Sequence, residues 1–112
     1  MGLKSPKKKG YRHEVECVTV AEKHGLKAVR AFGSDGRAIG ERSDIDVVIS
    51  NPVLEKDDKF KIIRLQAKSR SKISKFLNLG NADIKTLREN KNPDFDCVVN
   101  FNWLMECLSR VR

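Results

Sequence analysis

The sequence predicts an α/β fold, in which a small mixed β-sheet is flanked by helices within one compact domain. Three observations predict it. The chain has 112 residues, enough for one modest core. Short runs of two-residue alternation fall between stretches of 3.6-residue apolar period, in the order helix, three strands, helix, strand, strand, helix. Turn residues stand at the joints, notably Gly25, Asn51-Pro52 and Gly80. No internal repeat is present.

Residues 1–10 are basic, contain Gly and Pro, and lack periodicity, which predicts a flexible arm ahead of a domain over 11–112. Residues 11–24 read as a helix ended by Gly25 at the C′ position. Glu14, Cys17, Val18 and Ala21 share one stripe of it, so a carboxylate starts the core-facing side. Residues 26–32 alternate as a short strand. The loop over 33–43 holds Gly33, Gly36 and Gly40, which suits close approach to a ligand, but no Gly-Lys-Ser/Thr follows and a Walker loop is excluded.

Residues 44–50 form the next strand, with Asp44, Asp46 and Val48 on one face and Ile45, Val47 and Ile49 on the other. Asn51-Pro52 ends it, and 51–58 is a polar connection. Residues 60–68 then alternate, with Ile63, Leu65 and Ala67 on one side and Arg64, Gln66 and Lys68 on the other; this strand is expected to pair antiparallel with 44–50. A helix follows over 70–79, with Ser69 or Ser71 as N-cap and Gly80 as terminator. Its apolar face is Ile73, Phe76 and Leu77, leaving Arg70, Lys72 and Lys75 outward. Strands are expected at 82–87 and 95–99. Asn100 or Asn102 then starts a last helix with Phe101, Leu104, Leu108 and Val111 as its stripe, and Trp103 and Cys107 as a second apolar strip.

Charge points to a partner. The formal net charge is +8, yet residues 1–12 and 61–75, both free of acids, together carry +11 and leave −3 on the rest. Two basic blocks in a slightly acidic remainder suggest a polyanion-binding face. No apolar run approaches the ~20 residues that span a bilayer. The basic N-terminus lacks the apolar segment of a signal peptide, and Pro6 breaks the myristoylation pattern that Gly2 begins. Cys17, Cys97 and Cys107 are an odd, scattered set without zinc-like pairing to His13 or His24, which fits reduced thiols in a cytosol-like compartment.

One constellation joins Glu14, Asp44 or Asp46, Gln66 and Lys68. In a hairpin of 44–50 with 60–68, these residues meet near one sheet end, and Glu14 reaches them if the first helix packs there. Asp44 and Gln66, with the Ala67 carbonyl, would offer oxygen ligands to Mg²⁺, which takes one or two carboxylates and keeps several waters. Such a metal would polarise a phosphate oxygen and lower the pKa of a bound water. Lys68 would orient that water and balance charge developing on the phosphate. The reaction would be phosphodiester hydrolysis.

These motifs resemble the PD-(D/E)xK nuclease superfamily and, within it, the Holliday junction resolvases of the archaeal and phage type, over nearly the whole chain. KKKGYRHE at 7–14 resembles the family's basic start and helix glutamate, and HGLKAVRAFGS at 24–34 its first strand and serine-bearing loop. SDID at 43–46 stands where the family has Pro-Asp or Gly-Asp, and LQAKSR at 65–70 where it has Glu-x-Lys. ADIKTLRENKNPDFDCVVNFNWLMECL resembles the closing strand, turn, strand and helix of the phage-type members.

The resemblance implies a restriction-endonuclease-like nuclease fold, with Glu14, Asp44, Gln66 and Lys68 as the active site and Ser34 beside the scissile phosphate. It implies Mg²⁺, with Mn²⁺ as a second option, held by Asp44, Gln66, Asp46 and Glu14. It implies a homodimer acting on DNA, especially four-way or branched junctions, without a membrane. The expected location is the cytoplasm, or a host cytoplasm for a virus-encoded chain. Phosphate contacts are expected from Lys7, Lys8, Lys9, Arg12, Arg37, Arg42, Arg70, Lys72 and Lys75. Two residues depart from the pattern. Gln66 replaces a glutamate, keeping an oxygen but losing a charge, and Ser43 precedes the aspartate. Asp46 could share the metal role; Asp44 fits the family context better because Ile follows it at the strand start.

A second constellation, Gly33-Ser34 with Asp44, Asp46 and Asp83, resembles the nucleotidyltransferases of the DNA polymerase β type. It leaves Glu14 and the Gln-x-Lys pair unexplained, and it needs a helix directly after Ser34, where Asp35-Gly36 and Gly40 are poor helix formers. A third class, a catalytically silent DNA-binding module, explains the basic blocks but not the acids and lysine on one face.

Overall fold

A computed structural model describes residues 6–31 and 35–112. Its first element, α1 (Pro6–Lys23), begins five residues before the predicted helix, so the second half of the expected arm is helical. Pro6 suits a first helical position, where its fixed φ is already helical and its missing N–H costs nothing. Glu14, Cys17 and Ala21 are buried along the predicted stripe. Gly25 takes a φ of 83° and ends the helix: its N–H bonds to the Glu22 carbonyl and that of Leu26 to the Ala21 carbonyl, a Schellman closure.

Strands β1 (Lys27–Arg30), β2 (Val47–Ser50) and β3 (Ile62–Leu65) form an antiparallel sheet in that order. The expected pairing of the second and third strands holds, with Val47 opposite Leu65 and Ile49 opposite Ile63. The inner face carries Ala28, Val47, Ile49, Ile63 and Leu65, and it packs with Ala21 of α1 and Leu26. The last helix, α2 (Phe101–Ser109), closes the same core with Met105, Phe101, Leu104 and Leu108. Asn100 is its N-cap, its side chain accepting the Trp103 N–H. The opposite face of the sheet leaves Val29 and Ile62 exposed.

Between β1 and β2, a 3₁₀ turn (Gly36–Ile39) brings Gly36 so close to the chain that an added Cβ would sit 2.0 Å from the Arg42 carbonyl oxygen. Only glycine fits there.

The second half differs from expectation. Strands β4 (Ile84–Leu87) and β5 (Asp96–Val99) pair antiparallel with each other in a separate two-stranded sheet, so two small antiparallel sheets replace the single mixed sheet. The helix expected over 70–79 does not form: that stretch is irregular apart from one 3₁₀ turn (Lys75–Leu77), and Ile73, Phe76 and Leu77 are exposed. The physical reason is that an isolated helix this short is marginal without tertiary packing on its apolar side. Among the described residues, no helix is long and apolar enough to cross a membrane.

Candidate functional site

The site is built at the end of the three-stranded sheet where β2 begins and β3 ends. Register puts it there. Val47 opposes both Arg30 and Leu65, so the preceding residue, Asp46, lies between Ala31 and Gln66. Its backbone continues the ladder past the strand: the Asp46 N–H donates to the Leu65 carbonyl at 2.9 Å, and the Asp46 carbonyl accepts from the Ala31 N–H at 2.8 Å. The Asp46 carboxylate is buried, and its Oδ2 accepts the Ala67 N–H at 2.7 Å. A backbone bond therefore fixes this carboxylate against the Gln66-Ala67-Lys68 stretch. Asp44 sits two residues away in an exposed turn.

Glu14 projects from α1 and is 2% exposed. Arg30, on the inner face of β1, donates from Nη1 to Glu14 Oε1 at 3.0 Å. The same guanidinium lies over the Tyr11 ring, 4.4 Å from its centroid. Alternation over 26–32 already put Arg30 on the same face as Leu26 and Ala28. A cation on an apolar face was the available signal for Glu14's partner.

Cys17 links the two acids. Burial pushes its thiol pKa up, and the carboxylates of Glu16, Glu14 and Asp46 push it further in the same direction. Cys17 also lines a largely apolar cleft of about 230 Å³, with His13, Glu16, Gln66, Ala67 and Phe101 among the other walls.

Gln66, in the cleft wall, is exposed, and so is Lys68 two residues on. Arg12 and Arg42 are exposed as well. Arg37 is held by Asp35, donating from Nε to both carboxylate oxygens and lowering the Asp35 pKa chiefly through that bond. Arg70, Lys72 and Lys75 are exposed and stand in none of the ion pairs formed among the described residues. Ser34 and Gly33 lie outside the described residues, as do the side chains of Lys7, Lys8 and Lys9. Asp83 precedes β4, in the two-stranded sheet, whereas Asp44 and Asp46 precede β2, in the three-stranded one.

Among the described residues, no group of three or more His, Cys, Asp and Glu side chains converges as a metal cage. The oxygens at the sheet end are the Asp46 carboxylate, which keeps lone pairs beyond the one used by Ala67, the Gln66 amide and backbone carbonyls. That donor set suits an open site for a hard cation that retains most of its waters, and it does not suit a soft or caged metal. No family model, curated protein or solved structure matches the chain.

Proposed function

We propose that this chain is a metal-dependent endonuclease of restriction-endonuclease-like design, cutting branched DNA such as four-way junctions in the cytoplasm as a homodimer. One observation carries the reading: the Asp46–Ala67 bond that sets a buried carboxylate against the Gln-x-Lys stretch. Of the two aspartates considered, the geometry favours Asp46 as the main metal ligand, because it alone is held in place. A bound Mg²⁺, or Mn²⁺, would polarise the phosphate and acidify a water. The chain's own residues would do the remainder. Gln66 would add a neutral oxygen beside Asp46, and Lys68 would set a positive charge where the pentacovalent phosphate gathers negative charge. Glu14, fixed by Arg30, would hold the first helix to this end of the sheet. The exposed cations from Arg70 to Lys75 would grip the phosphate backbone, which reads shape rather than base edges.

Cleavage of a four-way junction and of a linear duplex, each with and without Mg²⁺, tests the reading. Metal-dependent junction cutting that Lys68→Ala abolishes, with junction binding retained, is the expected result. Junction binding with no cutting by the unaltered chain at any Mg²⁺ or Mn²⁺ level refutes it.

A further inference from the structure

Residues 69–79 combine features that conflict in the free chain. From residue 59 to residue 82 the sequence has seven cations and no acid. Lys68, Arg70, Lys72 and Lys75 are all exposed and enter none of the ion pairs formed among the described residues. In the same stretch Ile73, Phe76 and Leu77 are 58%, 66% and 42% exposed. Three large apolar side chains left in water within a dozen residues are costly, because each forgoes its burial.

The spacing resolves the conflict. At about 100° per residue, Ile73, Phe76 and Leu77 would share an arc of about 100° on a helix, with Lys72 about 40° beyond Phe76 at one edge, Arg70 about 20° beyond Leu77 at the other, and Lys75 about 60° past Lys72. Ser69 would cap its start, which puts Ser74 in the helix interior, and Gly80, whose φ is already +59°, would end it. A surface able to receive the apolar side is next in the chain. The outer face of the three-stranded sheet bears Val29, Val48 and Ile62 between Lys27 and Arg64, the latter paired with Glu41; Val29 is 55% and Ile62 38% exposed, and β3 ends only four residues before Ser69. Like charge weighs further against a helix already marginal at this length: Lys72 and Lys75 lie three residues apart, and Lys68 falls between them in angle. A polyanion removes that repulsion.

We propose that residues 69–79 coil into an amphipathic helix when the chain binds nucleic acid, the lysines meeting phosphates while Ile73, Phe76 and Leu77 cover Val29, Val48 and Ile62 on the outer face of the sheet. The partner rests on the nucleic-acid reading above; the folding step does not depend on catalysis. Ordering this segment also fixes the backbone immediately after Lys68, so the site is completed by its own substrate.

Far-UV circular dichroism of the full chain, titrated with a four-way DNA junction in chelator to prevent cutting, tests the step. The expected result is a gain at 222 nm comparable to the signal of α2, which is nine residues long. Three variants separate folding from simple attraction. Ser74→Pro fits the free chain, where Ser74 has φ −53°, but breaks the helix, so it should abolish the gain. Ile73→Ser with Phe76→Ser keeps every charge and should weaken binding about tenfold or more, since two burials are lost. Lys72→Ser with Lys75→Ser should lower the slope of log affinity against log salt by about two.

Binding that is indifferent to Ser74→Pro and to the apolar variants, or unaccompanied by helix gain, overturns the proposal. So does a helix gain produced by anionic phosphatidylglycerol vesicles and not by DNA. Helix gain without Mg²⁺-dependent cutting would leave this inference standing and remove the nuclease chemistry. Cutting without helix gain would do the reverse.

Discussion

Replacing Asp46 by alanine removes a side chain that ties the start of β2 to the stretch beyond β3. The bond is charge-assisted and short, from the Ala67 N–H to Oδ2 at 2.7 Å, and the residue is 7% exposed. Hydrogen bonds to charged groups are worth about 1.5–3 kcal/mol net, and the amide left behind is only partly reachable by water. Relief from burying a carboxylate offsets some of this, so a loss of about 2 kcal/mol is expected. Asp46→Asn keeps a side-chain oxygen for Ala67 and should lose about 1 kcal/mol, the difference between a charged and a neutral acceptor. Asp44→Ala, in an exposed turn, should stay within about 0.5 kcal/mol of the parent.

Urea unfolding at pH 7, followed by circular dichroism, measures all three as shifts in midpoint at unchanged slope. The expected order of midpoints is parent and Asp44→Ala highest, Asp46→Asn between, Asp46→Ala lowest. Equal midpoints for Asp44→Ala and Asp46→Ala would refute the Ala67 bond as the anchor. Asp46→Asn then isolates chemistry from folding. It should remain folded at 25 °C while losing Mg²⁺-dependent cutting, and full activity in it would refute Asp46 as the metal ligand.

Three further outcomes follow from two buried groups, Cys17 and Asn51. The Cys17 thiol holds its proton more tightly folded than unfolded, so its stabilising effect is complete below the ordinary thiol range and is lost as pH rises from there toward the raised folded value. Unfolding midpoints should therefore fall above about pH 9 less steeply in Cys17→Ser than in the parent, and native alkylation at pH 8 should label the exposed Cys97 and Cys107 well before Cys17, as mass spectrometry would read. Asn51, 5% exposed, donates from Nδ2 to the carbonyls of Leu108 and Val111 and accepts the Val53 N–H, so Asn51→Ala should cost about 1–3 kcal/mol in the same urea assay.

What the sequence disclosed, and what it hid, divides along the physics of local and long-range order. The α1 stripe, Gly25, Asn100 and the alternation of β2 and β3 are local patterns, and the structure follows each within a few residues. Pro6 shows the limit of composition: a basic, proline-bearing start looks like an arm, yet proline at a first helical turn is permissive. Residues 70–79 show the limit of periodicity. The apolar repeat is present, but a repeat makes a helix only where something covers its face. Arg30 is legible as a residue type in an odd place, a cation amid apolar neighbours, whereas Asn51 reads from the sequence as the strand breaker before Pro52. Their partners, Glu14 and the end of α2, lie too far along the chain for spacing to name.

The choice between Asp44 and Asp46 turns on register, which no short motif contains. Both acids share a strand face by alternation, so the pattern alone ranks them equally. The inner face breaks the tie. Ile49 opposite Ile63 and Val47 opposite Leu65 set β3 against β2, and a slip by one residue would turn Ile63 and Leu65 outward and bring Arg64 into the core. With that slip forbidden, the Asp46 N–H meets the Leu65 carbonyl, and Ala67 presents its N–H within reach of the Asp46 carboxylate. Asp44 falls beyond the last ladder bond, where the chain has already turned away. The apolar residues of β2 and β3 thus determine which carboxylate meets the Gln-x-Lys stretch. A substitution such as Leu65→Lys, on the inner face next to Gln66, should disable the site by releasing the register rather than by removing a ligand.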